Sequence, residues 1–288
     1  MQLNNKKAIF FALLAASLYA INAPVSKLLL NKIPPELMAS LLYLGAGIGL
    51  SIVGVFQKKV SKSHNEKSLT KSDLPYTIGM VLLDIAAPIF LMIGLTKTTA
   101  ANVSLLNNFE IVATSIIALC VFKESISKRL WLGIILVTVA SAILSFEDMS
   151  SFSFSIGSIF VLLACVCWGF ENNCTRKISN KNPLEIVVIK GFFSGAGALI
   201  IALIKGERFT NVLYICAALL LGFVAYGLSI FFYIYAQRDL GAAKTSAYYA
   251  VSPFIGTAIS LVIFREAPSV YFIIAILIMA AGTYFAST

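Results

Sequence analysis

The chain alternates long apolar stretches with short polar breaks along its whole length. We count ten apolar stretches of roughly 18 to 23 residues, the length an α-helix needs to cross ~30 Å of hydrocarbon. Their predicted positions are 8–30, 35–57, 74–95, 98–121, 129–146, 156–177, 184–204, 212–236, 243–264 and 269–287. The pattern therefore predicts an all-α integral membrane protein with ten transmembrane helices.

Two of these stretches have closely similar sequences. Residues 99–124 and 241–266 align without a gap at an offset of 142 residues, and they end in Phe122-Lys123-Glu124 and Phe264-Arg265-Glu266. This similarity predicts a duplication, with five-helix repeats at 1–146 and 156–288 and a Ser-rich linker at 147–155 that could act as a hinge. Because five is an odd number, the second repeat would enter from the opposite side, so we expect inverted repeats.

Composition supports the membrane assignment and excludes several function classes. Hydrophobic residues make up 59% of the chain, charged residues 12%, and the mean hydropathy is +0.91, which a soluble domain could not bury. The five cysteines lie inside the apolar stretches and suggest no disulfide framework. We find no phosphate-binding loop, no basic run interleaved with aromatics and no nucleophile–base pair or metal cluster. The sequence thus predicts neither an enzyme nor a nucleic-acid partner, and no metal or cofactor.

The distribution of the 22 Lys and Arg residues predicts the orientation. Fifteen fall at the amino terminus and in alternate loops, six fall on the opposite side, and Lys190 lies inside a stretch. Since positive residues favour the cytoplasmic side, we expect a multi-pass protein of the cytoplasmic membrane with both termini in the cytoplasm. The acidic pair Glu147-Asp148 would then face outward.

Three carboxylates lie well inside apolar stretches rather than at their first residues, and a charge at the helix centre costs about 2.5–3.5 kcal/mol. Asp84 and Glu110 lie near the middle of the third and fourth stretches, and Glu171 lies about six residues from the end of the sixth. Burial favours the protonated form, which suits groups that exchange a proton for a cationic substrate. The alternatives are that Asp84 and Glu110 are protonated or paired with an Asn or Lys190, and that Glu171 pairs with Arg176 or Lys177 near the interface.

Lys190 and several polar residues are further candidates for the substrate site. Lys190 could extend back to the membrane surface, contact a substrate anion or neutralise an acid. Asn107, Asn108, Tyr248, Tyr249 and Ser252 lie at related positions of the fourth and ninth stretches, and the Tyr rings could hold a cation. Pro253 is a candidate gating residue or a passive kink. Two glycine pairs, Gly45 with Gly49 and Gly191 with Gly195, predict close helix packing.

The duplicated motifs resemble the drug/metabolite transporter superfamily, and specifically its EamA-type ten-helix members. Residues 15–20 match 164–169 at an offset of 149, and the fourth helices match as described above, with Pro253 and the terminal Glu in the family manner. The resemblance implies export or exchange of small metabolites, often coupled to protons. Glu171 is placed similarly to a Glu in the first helix of small multidrug relatives. The family often has an Arg near the place of Lys190, where the first half has Leu41.

The resulting hypothesis is a secondary transporter that exports or exchanges a small polar or cationic metabolite with proton coupling. An amino-acid or zwitterion exporter is one alternative, with Lys190 and the Asn pair binding the carboxylate. A scaffold or channel is another, although it would not explain an inverted duplication. The expected partners are the lipid bilayer, a small-molecule substrate and protons, and a monomer or weak homodimer is expected because both repeats lie in one chain.

Overall fold

The computed structural model describes residues 5–60, 67–123, 126–148, 153–208, 211–240, 245 and 248–287. Within these residues, the helices group into ten consecutive segments. They are Asn5–Ala20 and Asn22–Leu29 (first), Pro35–Val60 (second), Leu74–Lys97 (third), Ala100–Leu106 and Phe109–Cys120 (fourth), Lys128–Ser145 (fifth), Ile156–Ile178 (sixth), Pro183–Ile189, Lys190–Ser194 and Gly195–Ile204 (seventh), Val212–Leu221, Gly222–Leu228 and Ser229–Leu240 (eighth), Ser252–Phe264 (ninth) and Val270–Ser287 (tenth). A single 3-10 turn, Lys71–Asp73, precedes the third segment.

The prediction of an all-α membrane protein is confirmed. Eight helices are long and apolar enough to cross a membrane, and two shorter apolar helices, Ser252–Phe264 and Val270–Ala286, follow them. The count of ten crossings remains a prediction. One small addition lies in the predicted linker, where Phe146–Asp148 and Ser153–Phe154 form a short antiparallel strand pair. The side chains of the acidic pair in this linker, and Glu124, lie outside the described residues.

Local sequence explains where several helices begin. A polar side chain directly before the helix accepts a hydrogen bond from a backbone N–H of the first turn, which satisfies a donor that the helix itself cannot pair. The residues that do this are Thr99, Ser127, Ser155, Asn182 and Asn211. At the other end of the duplicated motif, Lys123 and Arg265 both have positive φ, 58° and 53°. Arg265 directly follows the ninth segment, whereas Lys123 lies three residues beyond Cys120, the last residue of the fourth.

Three segments are interrupted near the centre of the bundle. The first is interrupted at Ile21 and the fourth at Asn107 and Asn108. In the ninth, which we now count from the helical residues Tyr248 and Tyr249, Ala250 and Val251 interrupt the helix before Ser252–Phe264. The seventh and eighth segments instead contain the π-helical turns 190–194 and 222–228. Both kinds of irregularity leave backbone groups out of the regular helical ladder, and such places are common at functional sites.

The two halves of the chain pack against each other throughout the bundle. Contacts join the third segment to the sixth, the first to the eighth, the second to the seventh, the fourth to the ninth and the fifth to the tenth. The predicted close approach at the glycine pairs is confirmed: a Cβ added at Gly45 would overlap the backbone of Leu219, and one at Gly191 would overlap the backbone of Gly47. The buried core therefore lies largely between the halves.

Candidate functional site

A small cavity lies where the interrupted first, fourth and ninth segments meet. Its volume is ≈ 10 Å³, which is about the space of one water molecule. The lining residues are Tyr19, Ala20, Asn22, Ala23, Ser104, Asn107, Ser252, Pro253 and Gly256. Three candidates from the sequence, Asn107, Ser252 and Pro253, are thus brought together from positions more than 140 residues apart.

Several polar atoms around this cavity have no hydrogen-bond partner among the described residues. They are Ser104 Oγ, Asn107 Oδ1 and Ser252 Oγ in the lining, together with both side-chain amide atoms of the adjacent Asn108. A buried polar group without a partner costs about 1–3 kcal/mol, so a fold does not retain a group of them without a compensating interaction. The arrangement can accept and donate hydrogen bonds to a small polar molecule.

Glu110 lies one helical turn beyond Asn107 on the fourth segment and is half-buried. Asn172 Nδ2 of the sixth segment donates a hydrogen bond of 2.6 Å to Glu110 Oε1, and the same amide donates to Thr114 Oγ1 at 3.2 Å. The hypothesis that an Asn pairs with Glu110 is therefore confirmed, although the Asn comes from another segment. Glu110 also lies within electrostatic range of Tyr19, which lines the cavity.

The other two intramembrane acids meet at Lys190. Lys190 Nζ lies 3.3 Å from Asp84 Oδ2 and 2.5 Å from Glu171 Oε1, so one ammonium group bridges carboxylates of the third and sixth segments. The Tyr43 hydroxyl donates to Asp84 Oδ1 at 2.7 Å, and the Thr175 hydroxyl donates to Glu171 Oε1. All three charged groups are at most 5% exposed. A buried cation between two anions needs this density of hydrogen bonds to offset its desolvation.

This cluster decides between the alternatives for Lys190 and Glu171. Lys190 does not extend to the membrane surface, because it is buried and its charge is matched by two carboxylates. Glu171 forms its ion pair with Lys190 rather than at the interface with Arg176 or Lys177. The reason is that the third, sixth and seventh segments converge here and place Asp84 and Glu171 within ion-pair distance of Lys190.

Aromatic and amide side chains connect the cavity with the Lys190 cluster. Asn22 Nδ2, in the cavity lining, donates to the Tyr226 hydroxyl at 3.3 Å. The Tyr226 ring lies 5.1 Å from the Tyr43 ring and 5.9 Å from the Tyr19 ring, measured between centroids. Tyr43 in turn holds Asp84. The cavity and the ion pairs therefore belong to one continuous polar and aromatic region.

Sequence reasoning did not single out Tyr43, Asn172, Tyr226 or Asn22 as site residues. For two of them the duplication contained a usable signal. In the repeat alignment Tyr226 occupies the place of Asp84, and Asn22 occupies the place of Glu171. Position in the repeat could thus have identified them, whereas nothing in the local sequence of Tyr43 or Asn172 does so.

The aromatic candidates of the ninth segment lie at the edge of this region. Tyr249 packs on Tyr19 and Tyr233, with ring centroids 6.0 Å and 5.0 Å away, and its hydroxyl lies 3.4 Å from Ser229 Oγ. Tyr248 is half-buried and is not part of the cavity lining. Pro253 lies in the first turn of its helix, where its missing N–H breaks no helical hydrogen bond.

Comparison with known proteins gives consistent findings. The model of the EamA-like transporter family matches residues 6–146 and again residues 155–288. An "Uncharacterized transporter" of Methanothermobacter thermautotrophicus is 26% identical over 286 residues, which cover 94% of this chain and 83% of that protein. The "Uncharacterized transporter YyaM" of Bacillus subtilis is 22% identical, over 76% of this chain and 73% of that protein. A solved crystal structure superposes with a TM-score of 0.69 over 97% of this chain and 95% of that chain, at 16% identity, and so supports the fold alone.

Proposed function

Because this chain belongs to the EamA-like transporter family, we propose that it exports or exchanges a small polar or cationic metabolite across the cytoplasmic membrane, coupled to protons. The single observation that carries the proposal is the group of buried, unpartnered polar atoms beside the small cavity at the three helix interruptions. Its unpartnered atoms, Ser104 Oγ, Asn107 Oδ1 and Ser252 Oγ, offer hydrogen bonds to a bound molecule, and none of its lining residues is charged.

The buried charges favour a cation over an anion as the cargo. Asp84, Glu110 and Glu171 are faced by one buried cation, Lys190, which is already shared by two of the acids. Charges in a medium of low dielectric must be matched, so the remaining acidity calls for bound protons or a bound cation. A group that alternates between these two partners couples substrate movement to proton movement.

The same cluster argues against the zwitterion alternative. A substrate carboxylate would need a free cation, and Lys190 is committed to Asp84 Oδ2 at 3.3 Å and Glu171 Oε1 at 2.5 Å. The Asn pair could still donate to a carboxylate, but without a compensating charge. Zwitterion transport is therefore an outcome that the experiment below must distinguish, rather than a second proposal.

Alternating access supplies the mechanism of the proposed transport. Two inverted five-helix repeats, with the termini in the cytoplasm, would rock about the cavity and expose it to one side at a time. The two matches to one family model support the duplication, and the contacts between equivalent segments are those expected when two similar halves face each other. The cavity volume of ≈ 10 Å³ is too small for a metabolite, so the proposed site would have to widen during transport.

The test is reconstitution of the full chain in liposomes, with charge movement recorded at two pH values for organic cations, amino acids and sugars. Glu110→Gln and Asp84→Asn are measured beside the unchanged protein, and Glu266→Gln serves as an acid removed at a helix end outside the cavity. We expect a cation-evoked, pH-dependent current that is lost in Glu110→Gln and retained in Glu266→Gln.

The other outcomes also have definite meanings. Currents evoked by zwitterions and unchanged in Glu110→Gln would contradict the cationic cargo and the role of that acid. If no current appears, uptake of labelled substrates tests electroneutral exchange, and a negative result there as well would contradict secondary transport of the tested classes.

A further inference from the structure

A cluster of polar contacts ties the halves together at the start of the second segment. Lys205 Nζ forms an ion pair with Glu36 Oε1, and the backbone N–H of Leu37 donates to Glu207 Oε2 at 2.8 Å. The donor is one of the first N–H groups of the helix, which favours an anion. We call these four residues, Glu36, Leu37, Lys205 and Glu207, the Glu36 clasp.

A second cluster ties the halves together at the start of the seventh segment. The backbone N–H of Leu69 donates to Glu185 Oε2 at 3.1 Å, and the N–H of Asn182 donates to the Lys67 carbonyl at 2.9 Å. Lys181 Nζ lies 2.9 Å from Asp73 Oδ2. We call this set, Lys67, Leu69, Asp73, Lys181, Asn182 and Glu185, the Glu185 clasp.

The two clasps occupy equivalent places in the repeats. Glu36 and Glu185 are separated by 149 residues, the same offset that aligns the first helices of the two halves, and each follows a proline two residues earlier, Pro34 and Pro183. In each clasp, the start of a repeat's second helix holds the connection between the second and third helices of the other repeat. One duplicated element thus forms both clasps.

The clasps lie at opposite ends of the bundle. Glu36 is the second residue of the helix Pro35–Val60. Leu69, whose N–H donates to Glu185, follows the other end of the same helix. A helix of 26 residues is about 39 Å long at 1.5 Å per residue. Each clasp contains only a few such contacts, and a hydrogen bond to a charged group contributes about 1.5–3 kcal/mol, so the contacts can break and re-form during a transport cycle.

We propose that the two clasps are the gates of this transporter, so that either one opens at its own end of the bundle while the other stays closed. The proposal rests on the alternating-access function above. Both clasps are formed here, and the cavity at the helix interruptions has a volume of only ≈ 10 Å³, as expected when neither gate is open.

The native Cys165 provides a reporter for the test. Its thiol is buried, and Sγ lies 3.7 Å from the carbonyl of Leu106, directly at the interruption of the fourth segment. A full-length protein that keeps Cys165 and lacks the other four cysteines is placed in oriented vesicles. A charged, membrane-impermeant thiol reagent is then added to one face at a time. A separate protein with Lys32→Cys identifies the face that carries Glu36, because Lys32 is exposed near it.

We expect Glu36→Gln to raise Cys165 labelling from the Glu36 face about tenfold, which is the effect of one lost charged hydrogen bond. Glu185→Gln should raise labelling from the opposite face by a similar factor, and Glu266→Gln should change neither. A disulfide between Lys67→Cys and Asn182→Cys, whose backbones are already hydrogen-bonded, should abolish labelling from the Glu185 face and spare the other.

The proposal is overturned if both variants open the same face, if neither changes labelling while folding is retained, or if the disulfide does not act on one face only. If the glutamine variants unfold, the test is the effect of the disulfide on Cys165 labelling from each face. The labelling needs no substrate, so the gate proposal and the cargo proposal can fail separately. If the cargo is not a cation, no cation would be transported, but the face-specific labelling would persist.

Discussion

The fourth and ninth segments occupy equivalent places in the two halves, and their backbones behave alike. The fourth is interrupted at Asn107 and Asn108, and the ninth at Ala250 and Val251, within one residue of the offset of 142. Each is followed by a left-handed residue, Lys123 or Arg265, at the same place in the repeat. Both contribute to the same cavity. Duplication has thus preserved the places where the helix stops and restarts.

The side chains at these equivalent places differ in charge. The fourth segment carries Glu110, hydrogen-bonded to Asn172, where the ninth carries Ser252 with an unpartnered hydroxyl. The third and eighth segments differ in the same sense, since Asp84 stands where the second half has Tyr226. The difference teaches that the two halves share the places where the helix is interrupted, while the acids Asp84 and Glu110 are present in the first half alone. The following predictions test each side of this comparison.

The largest effect is expected when the charge asymmetry is removed. Glu110→Ser gives the fourth segment the residue of the ninth, and we expect the rate of cation transport in liposomes to fall about 10- to 100-fold, because a charge-assisted interaction is lost. Ser252→Ala, which removes only a neutral hydroxyl, should cost about threefold. Equal losses in the two variants would contradict the assignment of the acid as the functional difference.

A large loss of stability is expected at the buried lysine. Lys190→Met leaves Asp84 and Glu171 without their shared cation, and breaking a buried pair in this way costs about 3–5 kcal/mol. Thermal unfolding in detergent should show a lower Tm. Adding Asp84→Asn to Lys190→Met should recover part of the loss, and an unchanged Tm in the single variant would mean that the ion pairs do not contribute to stability.

A smaller loss is expected where the second and seventh segments cross, a feature shared by both halves. Gly191→Ala would place a Cβ against the backbone of Gly47, and overpacking of this kind costs about 1–3 kcal/mol. Gly79→Ala is the matched control, because its Cβ would meet only the Cys174 Sγ at 3.3 Å. The difference between their Tm values measures the destabilisation caused by the close approach of Gly191 to Gly47. Equal Tm values would contradict that close approach.

The two clasps should differ in their response to pH. Burial, followed by the neighbouring Glu36 carboxyl, raises the pKa of Glu207 from 4.5 to about 7. The folded protein therefore binds this proton more tightly, so the stabilisation is complete at low pH and is lost as the pH rises through about 7. Comparison of Tm at about pH 5 and about pH 8 should show this decline. Glu207→Gln should reduce this decline, and a decline of unchanged size would assign it to other groups.

The smallest effect is expected at the two left-handed residues. Lys123 and Arg265 are exposed and have φ of 58° and 53°, a conformation that glycine adopts without the steric cost of a Cβ. Lys123→Gly and Arg265→Gly should each stabilise the protein by up to about 1 kcal/mol. The comparison predicts the same sign for both shifts in Tm, and opposite signs would show that the two helix ends are not equivalent.

Much of the fold was predictable because it depends on local pattern. The stretch predicted at 35–57 is the helix Pro35–Val60, and that at 156–177 is Ile156–Ile178. Hydropathy and helix length are properties of a single segment, and a bilayer imposes the same thickness on each one. The strand pair after Ser145 and the π-helical turns were not predicted, since they depend on packing against neighbouring segments.

The candidate site was predictable as a set of residues but not as an arrangement. Asp84, Glu110, Glu171 and Lys190 stand out because a charge in an apolar stretch is costly wherever it lies. Which acid pairs with Lys190 depends on which helices converge, and the sequence left that question open between three alternatives. The partners that complete the site, Tyr43 for Asp84 and Asn172 for Glu110, come from residues 41 and 62 positions away.

The sequence by itself determined that this protein is a helical membrane protein built from a duplicated unit, and it determined which polar groups had to be explained. These conclusions follow from one-dimensional quantities, namely the length of apolar runs, the position of charges and the offset between repeats. The tertiary structure alone decided that three interrupted helices line one small cavity beside unpartnered polar atoms, and that one lysine pairs with two acids. The physical reason is that a buried charge takes its partners from whatever side chains lie within a few ångströms, and only the packing of distant segments sets those distances.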